Sequence, residues 1–342
     1  MVAVLVILDG ASEPLRGGEP TSLELARTPA LDALAREGTL APLTTVPAGL
    51  PAGSECAIPA LLGWTPPAPV DRAAIEAAAH GIALAPGERA WRVDVLDAEG
   101  GRAGERAVAR GAARLAASTP HQRVHRLAGH RLLVTGPSPL ATELCGSVSD
   151  IPTRIRTARL QAWPAGIVPP AVLDERTVVV GARGAAVGVA RLMGAATVVP
   201  AGATGQPDSD LAAKARAALG AIDGGAERVV VHVGGPDEAA HRRDRAAKVA
   251  AIERADRELV APLADAVARA GGTLRVCPDH SCDPATGAHD DAPVPCLDWS
   301  PRDQRQISVA QRPQSDADRL TERAVAGLPA VALAAVAAPE AA

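Results

Sequence analysis

The feature that most constrains the fold is the apolar run VAVLVIL at residues 2–8, which ends on the carboxylate of Asp9. A strand that is apolar on both faces is typical of the interior of a largely parallel sheet covered by helices. In open sheets of this class, ligands bind beyond the carboxyl ends of the strands. Asp9 is therefore either a surface turn residue or a group that contacts a ligand, and other segments must decide between the two.

Further strand-like runs occur along the chain, namely RTVVVGA, ATVVPAG, ERVVVHV and GTLRVC. Most of them alternate with segments that have a helical pattern, at residues 24–37, 183–194, 209–221 and 244–270. Alternation of strands and helices is the signature of βαβ units. We therefore predict an α/β fold with a mostly parallel central sheet flanked by helices.

The middle of the chain departs from this pattern. Two Pro-rich stretches, TPPAPV at 65–70 and WPAGIVPPAV at 163–172, enclose the strand-like segments RAWRVDVL and HRLLVTG. Pro-rich stretches without periodicity are typical of linkers between domains. We therefore predict a core made of residues 1–65 and 169–342, with a smaller α+β domain inserted at 66–168.

Composition excludes several classes of partner. The formal net charge is only −4, which implies no nucleic-acid or anionic-membrane partner. No apolar stretch approaches the ~18 residues of a membrane span, and the first apolar run lacks the basic leader of a signal peptide. The five cysteines are an odd number, which favours free thiols in a reducing cytoplasm. Cys277 and Cys282 stand near candidate metal ligands, but we interpret them as small buried apolar residues.

Side chains that bind metals follow other strand-like runs as well. HVGGPDEAAH carries Asp237 and His241, four residues apart and so on one face of a helix. LRVCPDH ends on Asp279 and His280, and His289 follows nine residues later. One such pair is more often an exposed helix face, but several unpaired carboxylates and imidazoles would be costly to bury. Oxygen and nitrogen ligands of this kind suit Mn²⁺, Zn²⁺, Mg²⁺ or Co²⁺.

A serine is the remaining candidate for the chemistry. The segment PAGSECAIPALLGW at 51–64 places Ser54 directly after Gly53, at the predicted start of a helix. Helix N-terminal N–H groups favour an anion, and a serine that coordinates a metal is an activated nucleophile. The alternative interpretation of Ser54 is a plain N-cap.

Together these segments resemble the archaeal-type cofactor-independent phosphoglycerate mutases, also called 2,3-bisphosphoglycerate-independent, of the alkaline phosphatase superfamily. ILDG is similar to the opening metal motif of that family, TPALDALAREG to its first helix and PAGSECAIPALLGW to its nucleophile segment. GPDEAAH and DHSCDPATGAHDDAPVP resemble its two metal clusters. The resemblance implies an alkaline-phosphatase-like core with an inserted substrate-binding cap domain.

The resemblance also implies two divalent metal ions, with Mn²⁺ the first choice and Zn²⁺, Mg²⁺ or Co²⁺ as alternatives. The implied ligands of one ion are Asp9, Ser54, Asp279 and His280, and those of the other are Asp237, His241 and His289.

The implied reaction is the interconversion of 3-phosphoglycerate and 2-phosphoglycerate, a step of glycolysis. Ser54 would attack the phosphate of this small phosphorylated acid, and the freed glycerate would reorient before taking the phosphoryl group back on its other hydroxyl. The inserted domain would exclude water, which otherwise hydrolyses the phosphoserine. The substrate contacts implied by the resemblance are Arg72, Arg92, His130, Arg131 and Asp150.

Departures from the family pattern keep other functions open. Ala73 and Ala74 follow Arg72 in place of the glycine- and proline-rich neighbours of the family, and Asp94 replaces an asparagine. Gly234 stands where the family has a lysine, and the sequence offers no nearby lysine to replace it. One alternative is a metal-dependent phosphomonoesterase, or a mutase of another phosphorylated or phosphonate acid. The alternative from another class is an inactive metal-binding scaffold.

Overall fold

The computed structural model describes residues 1–99, 101–137, 159–301 and 319–333. The chain divides into two units, of which the larger is formed by Met1–Pro69 and Pro169–Ala342 and the smaller by Val70–Val168. The smaller unit is thus one continuous stretch of sequence that interrupts the larger unit.

The secondary-structure elements are numbered here in chain order. The strands are β1 (Ala3–Leu8), β2 (Thr39–Thr44), β3 (Glu88–Leu96), β4 (Arg123–Arg126), β5 (Arg131–Pro137), β6 (Arg159–Ala162), β7 (Thr177–Val180), β8 (Ala196–Val198), β9 (Arg228–Val233), β10 (Thr273–Cys277), β11 (Ser281–Cys282), β12 (His289–Asp290), β13 (Val294–Trp299) and β14 (Val331–Ala332). The α-helices are α1 (Ser22–Leu25), α2 (Pro29–Glu37), α3 (Ser54–Leu61), α4 (Arg72–His80), α5 (Glu105–Ser118), α6 (Ala185–Met193), α7 (Leu211–Asp223), α8 (Gly235–His241), α9 (Arg245–Ala255), α10 (Ala261–Ala270) and α11 (Glu322–Val325), and a π-helical turn, Asp256–Val260, joins α9 to α10.

The larger unit is built on a sheet with the strand order β14-β2-β13-β10-β1-β9-β7-β8. Within the run β10-β1-β9-β7-β8 each strand is parallel to the next. Strand β13 is antiparallel to both β10 and β2. Every residue of β1 is buried, as a central strand with helices on both faces requires. The predicted α/β class with a mostly parallel central sheet is confirmed.

The register of the central strands places their carboxyl ends side by side. Ile7 of β1 is paired with His232 of β9 on one side and with Cys277 of β10 on the other. The residues that follow these three strands therefore meet at one edge of the sheet, which is where Asp9 lies.

The smaller unit contains a four-stranded antiparallel sheet with the order β4-β5-β3-β6. Val93 of β3 pairs with Leu132 of β5, and both pack with Val108 and Leu115 of α5 in a core of their own. Because this core is separate from the core of the larger sheet, the smaller unit has an independent source of hydrophobic stability.

Among the described residues, the helices are all too short or too polar to cross a membrane.

A side chain from the π-helical turn caps helix α2. Thr28, the N-cap residue of α2, makes no side-chain capping bond. The Asp256 carboxylate instead accepts hydrogen bonds from the backbone N–H groups of Ala30, at 3.1 Å, and Leu31, at 2.8 Å. This contact fixes the N-terminus of α2 to the π-helical turn between α9 and α10.

We expect Asp256→Ala to lower the free energy of unfolding by about 1 kcal/mol or more, because two N–H groups at a helix N-terminus lose their acceptor. Asp256→Asn retains an amide oxygen and is expected to cost less. Chemical denaturation of both variants checks this, with Asp265→Ala, an exposed carboxylate on α10, as the matched control. Equal stabilities for Asp256→Ala and the control would contradict the capping role.

Candidate metal centre

The close approach of the central loops depends on a glycine. Gly10, which follows Asp9, has φ +57, and a Cβ there would lie 2.7 Å from Asp237 Oδ1 and 2.9 Å from the Cys282 Cβ. Its backbone N–H donates to Asp279 Oδ1 at 3.2 Å. The Asp-Gly pair that ends the first strand thus allows carboxylates from three segments to converge.

The first group of candidate ligands surrounds Asp9. Asp9 Oδ2 lies 3.2 Å from His232 Nε2, and Asp9 Oδ1 lies 3.3 Å from His280 Nε2. One potential ligand atom from each of Asp9, His232 and Asp279 lies within 4.8 Å of the other two. Asp9, Asp279 and His280 are buried, so this set is largely withdrawn from solvent.

Ser54 belongs to the same group. Its hydroxyl donates to Asp9 Oδ1 at 3.4 Å and lies 3.3 Å from His280 Nε2. The N-cap residue of α3 is Gly53, and no side-chain capping bond is present, so the plain N-cap interpretation of Ser54 is wrong. The hydroxyl faces candidate metal ligands.

The second group joins α8 to β12. His289 Nε2 lies 3.1 Å from Asp237 Oδ1 and 3.0 Å from His241 Nε2, and His241 Nε2 lies 3.3 Å from Asp237 Oδ2. The buried Cys282 has its sulfur in the same group. Burial, with Asp237 beside it, raises the pKa of the Cys282 thiol and so favours its protonated form. The structure thus brings Asp237, His241 and His289 together, as the sequence predicts.

The two groups are adjacent. The rings of His280 and His289 are stacked with their centroids 4.1 Å apart. Ligand atoms of Asp9, Asp237 and His280 also lie within 4.8 Å of one another. The two groups of candidate ligands therefore form one continuous cluster.

The electrostatics of the cluster is that of an anionic site. Burial, followed by the nearby Asp279 and Asp237 carboxylates, raises the pKa of Asp9 well above its usual value. Burial opposes ionisation of Asp237 too, but His241 and His289 lower the pKa of that carboxyl. Carboxylates packed this closely in a buried site repel one another unless positive charge is supplied.

Two buried polar atoms show that the residues present fit a metal. His232 Nε2 and Asp279 Oδ2 are both buried, and neither has a hydrogen-bond partner among the described residues. Buried polar atoms are normally hydrogen-bonded, so such atoms require an explanation, such as an ion. Their oxygen and nitrogen donors suit a divalent cation of the Mn²⁺ or Zn²⁺ kind.

A buried lysine holds the loops that carry the ligands. Lys248 of α9 donates to the carbonyl oxygens of Ser12, at 3.1 Å, and Cys282, at 2.7 Å. It also pairs with Glu13 at 3.1 Å. One ammonium group thus ties the loop after β1 to the segment after β10, which keeps Asp9 close to His280.

The surroundings of Gly234 leave little room for a side chain. A Cβ at this position would lie 2.9 Å from the carbonyl oxygen of Gly205, so the backbone of another loop fills the space that a side chain would need. A lysine binds the end of the strand that precedes Gly234. Lys214, fully buried, donates to the carbonyl oxygens of His232 at 2.9 Å and Thr204 at 3.5 Å, and burial lowers its pKa to about 8.

The predicted substrate contacts lie in the smaller unit. Asp150 is outside the described residues. The others surround two buried carboxylates, those of Glu76 and Asp94. These surrounding residues are Arg72, Arg92, His130 and Arg131.

Asp94 accepts from Arg92 Nε at 3.0 Å and Arg92 Nη2 at 3.2 Å, a two-pronged ion pair. The Trp163 indole donates to it at 2.7 Å, and His130 Nε2 lies 3.6 Å away. Burial opposes ionisation of Asp94, but His130 and Arg92 hold the pKa of that carboxyl well below its usual range. Asp94 is therefore an ionised carboxylate that contacts Arg92 and His130, two of the predicted substrate contacts.

Glu76 is the second carboxylate, and it pairs with Arg131 and Arg92. Arg131 Nη1 lies 2.9 Å from it and Arg92 Nη1 lies 3.3 Å from it. The Arg72 guanidinium stacks over the Trp163 ring, with its carbon 3.8 Å from the ring centre. The structure thus brings these arginines together, but it binds two of them to carboxylates of the same unit.

Sequence reasoning missed His232. The signal was available, because His232 is a polar residue inside the otherwise apolar strand run ERVVVHV. Burial lowers the pKa of this imidazole to about 4, which favours its neutral form. A neutral imidazole inside a strand that ends at a metal-binding edge is a candidate ligand.

Comparison with known proteins defines the class. The model of the metalloenzyme superfamily matches residues 1–317, and the chain belongs to that superfamily. The predicted use of divalent metal agrees with this membership.

Curated relatives give a finer comparison. The chain is similar to the 2,3-bisphosphoglycerate-independent phosphoglycerate mutase of Methanopyrus kandleri, at 29% identity over 87% of each chain. It is similar to a probable enzyme of the same name from Geobacter sulfurreducens, at 29% identity over 91% of this chain and 93% of the relative. The predicted resemblance to this group is confirmed.

Solved structures agree on the fold. A protein of Pyrococcus horikoshii matches with a TM-score of 0.72 and 25% identity, over 94% of this chain and 91% of its own. The cofactor-independent phosphoglycerate mutase of Thermoplasma acidophilum matches with a TM-score of 0.52 and 17% identity, over 94% and 93%. The second likeness concerns the fold alone.

We expect chelation of bound metal to lower the melting temperature by about 5–10 °C. Ions present at about a hundred times their dissociation constant stabilise the native state by ~2.7 kcal/mol. Each kcal/mol shifts the midpoint by about 2–4 °C in a domain of about 150–250 residues, a size range that includes the larger unit. Differential scanning calorimetry with EDTA checks this, and EDTA saturated with Mn²⁺ is the control. A melting temperature that is unchanged by either reagent would contradict the assignment of a metal centre.

We expect Asp94→Asn to destabilise the smaller unit by about 1.5–3 kcal/mol at neutral pH, because Arg92 loses one of its two charged partners. Since the pKa of Asp94 is lowered on folding, its contribution is complete above pH ~4 and declines as pH falls further. Denaturant titrations at pH 7 and pH 3 check the sign of this change. Glu105→Gln is the control, because the pair of Glu105 with Arg126 is exposed and contributes ~1 kcal/mol or less. A difference from wild type that grows toward pH 3 would contradict the assignment.

Proposed function

We propose that this protein catalyses metal-dependent phosphoryl transfer through a phosphoserine on Ser54, interconverting 3-phosphoglycerate and 2-phosphoglycerate in glycolysis. The observation that carries the proposal is the Ser54 hydroxyl, which lies 3.4 Å from Asp9 Oδ1 and 3.3 Å from His280 Nε2 at the edge of a buried cluster of ligands. The activity named for the relatives over most of their length supports the choice of substrate.

The proposal includes two divalent ions, with Mn²⁺ as the first choice. Asp9, Ser54, Asp279 and His280 would hold one ion, and Asp237, His241 and His289 the other. Ions bound there would stabilise charge on the phosphoryl group and favour the ionised form of the serine. The two adjacent groups of ligands support the number of ions.

The chain's own residues perform the covalent steps. The Ser54 oxygen forms a bond to phosphorus while the bond from phosphorus to a glycerate oxygen breaks. The glycerate oxygen gains a proton, and Ser54 loses one, so the step is balanced. The second transfer runs in the opposite sense, onto the other glycerate hydroxyl, and restores the serine.

The smaller unit is proposed as the substrate-binding cap. Arg72, Arg92, His130 and Arg131 would bind the carboxylate and phosphate of the substrate, with Asp150 as a further contact. Arginine suits this task, because its planar guanidinium binds carboxylate and phosphate through two parallel hydrogen bonds. A cap of this kind protects the phosphoserine from water.

A second candidate function is favoured by the ion pairs of the same unit. Glu76 and Asp94 are bound to Arg92 and Arg131, which reduces the positive charge left for a substrate. A chain with fewer uncommitted charges would hold a doubly anionic acid less firmly. It could then act as a phosphomonoesterase, or as a mutase of another phosphorylated or phosphonate acid.

We propose the cytoplasm as the compartment of the protein. In the part of the chain that the structure describes, Cys277, Cys282 and Cys296 are free and buried. Thiols in this state are typical of a reducing environment, and a small phosphorylated acid is a metabolite of that environment.

A single assay separates the candidate functions. Metal-loaded protein is given 3-phosphoglycerate, and 2-phosphoglycerate and free phosphate are both measured. Isomer with little phosphate supports the mutase, and phosphate alone supports the phosphomonoesterase. Neither product, from protein shown to carry metal, supports the inactive scaffold.

We expect Ser54→Ala to reduce turnover at least about a thousandfold, since no other group in the proposal accepts the phosphoryl. Metal content by elemental analysis should fall only in part, because the remaining ligands of that ion are retained. Ser118→Ala, an exposed serine at the end of α5, is the matched control. Turnover within tenfold of wild type would show that bound water, rather than Ser54, receives the phosphoryl group.

A further inference from the structure

His232 occupies an unusual position in the sheet. It is the second-last residue of β9, it is paired with Ile7 of β1, and it is buried. Only 9% of the residue is exposed. An imidazole is costly to bury in an apolar strand unless its polar atoms have partners, so a purely packing role is disfavoured.

The imidazole is aimed at the candidate metal group. His232 Nε2 lies 3.2 Å from Asp9 Oδ2. Even so, it has no hydrogen-bond partner within the described ranges, and the same is true of Asp279 Oδ2. Both orphaned atoms therefore belong to one group of three residues, whose ligand atoms lie within 4.8 Å of one another.

One cation satisfies both atoms at once. A hydrogen bond between His232 and Asp9 would leave Asp279 Oδ2 unpaired. A divalent ion accepts electron pairs from carboxylate oxygen and from neutral imidazole nitrogen alike, and so removes both deficits. The three residues lie in β9 or directly beyond β1 and β10, which are adjacent parallel strands, so their side chains already meet at one end of the sheet.

We infer that His232 Nε2 is an additional ligand of the ion held by Asp9 and Asp279. The inference rests on the metal centre of the proposed function, and it adds a second nitrogen donor to a set that otherwise has His280 alone. Two imidazoles move the preference of the site away from Mg²⁺ and toward Mn²⁺, Co²⁺ or Zn²⁺.

The strand end that carries His232 is itself fixed. Lys214 Nζ donates to the His232 carbonyl oxygen at 2.9 Å, from a side chain that is fully buried. This bond limits the movement of the backbone from which the imidazole projects. Groups behind a metal ligand commonly orient it in this way.

The direct test is nitrogen NMR on the full chain, labelled with ¹⁵N at histidine and loaded with Zn²⁺, which is diamagnetic. The His232 signals are assigned by their loss in His232→Gln. We expect Nε2 to carry no proton and to shift on addition of Zn²⁺. A Nε2 that keeps its proton, seen as a one-bond coupling in the Zn²⁺-loaded protein, would overturn the inference.

Metal affinity gives a second readout. We expect His232→Gln to weaken binding of one of the Zn²⁺ ions by about tenfold or more, a loss typical of disturbed metal sites. The matched control is His125→Gln in the smaller unit, where the imidazole is bonded to Thr135. Equal Zn²⁺ affinities for His232→Gln and the control, in variants with wild-type circular dichroism, would also overturn the inference.

Neither experiment measures isomerase activity. If His232 binds Zn²⁺ but no phosphoglycerate is isomerised, the proposed function fails and the ligand assignment stands. If isomerisation is observed while His232 Nε2 keeps its proton, the assignment fails and the proposed function stands.

Discussion

Three buried carboxylates, those of Asp9, Asp237 and Asp279, lie within one small region of this protein. Desolvation and mutual repulsion both oppose their charged forms, and together they raise the pKa of Asp9. Much of the surrounding structure is arranged around these carboxylates. Imidazoles lie beside each carboxylate, and Gly10 lets the loops approach. A bound divalent cation would offset the negative charge of the carboxylates.

The sheet brings these groups together because its central strands are parallel and in register. Parallel strands end at the same edge, so residues far apart in sequence meet beyond β1, β9 and β10. The two lysines of the chain, Lys214 and Lys248, are both fully buried behind this edge. Each binds backbone carbonyl oxygens of ligand-bearing segments, so they serve as fixed supports rather than as surface charge.

The smaller unit shows a different use of charge. Its arginines are held by buried carboxylates, with Arg92 bound by both Asp94 and Glu76. Such pairs fix guanidinium groups in defined orientations, and they also reduce the charge available to a substrate. The balance between these effects determines how much positive charge the smaller unit offers to a bound anion.

The sequence by itself determined the α/β class, the ends of the central strands and the carboxylates that follow them, Asp9, Asp237 and Asp279. Apolar runs, strand–helix alternation and the spacing of Asp237 and His241 are local properties that appear in any linear reading. The tertiary structure decided what depends on distant neighbours. It added His232 to the Asp9 group, bound Lys214 to the His232 carbonyl oxygen, and bound Arg92 to Asp94 and Glu76. These roles depend on burial and on contacts between segments that are distant in sequence. Neither can be deduced from the order of the residues alone.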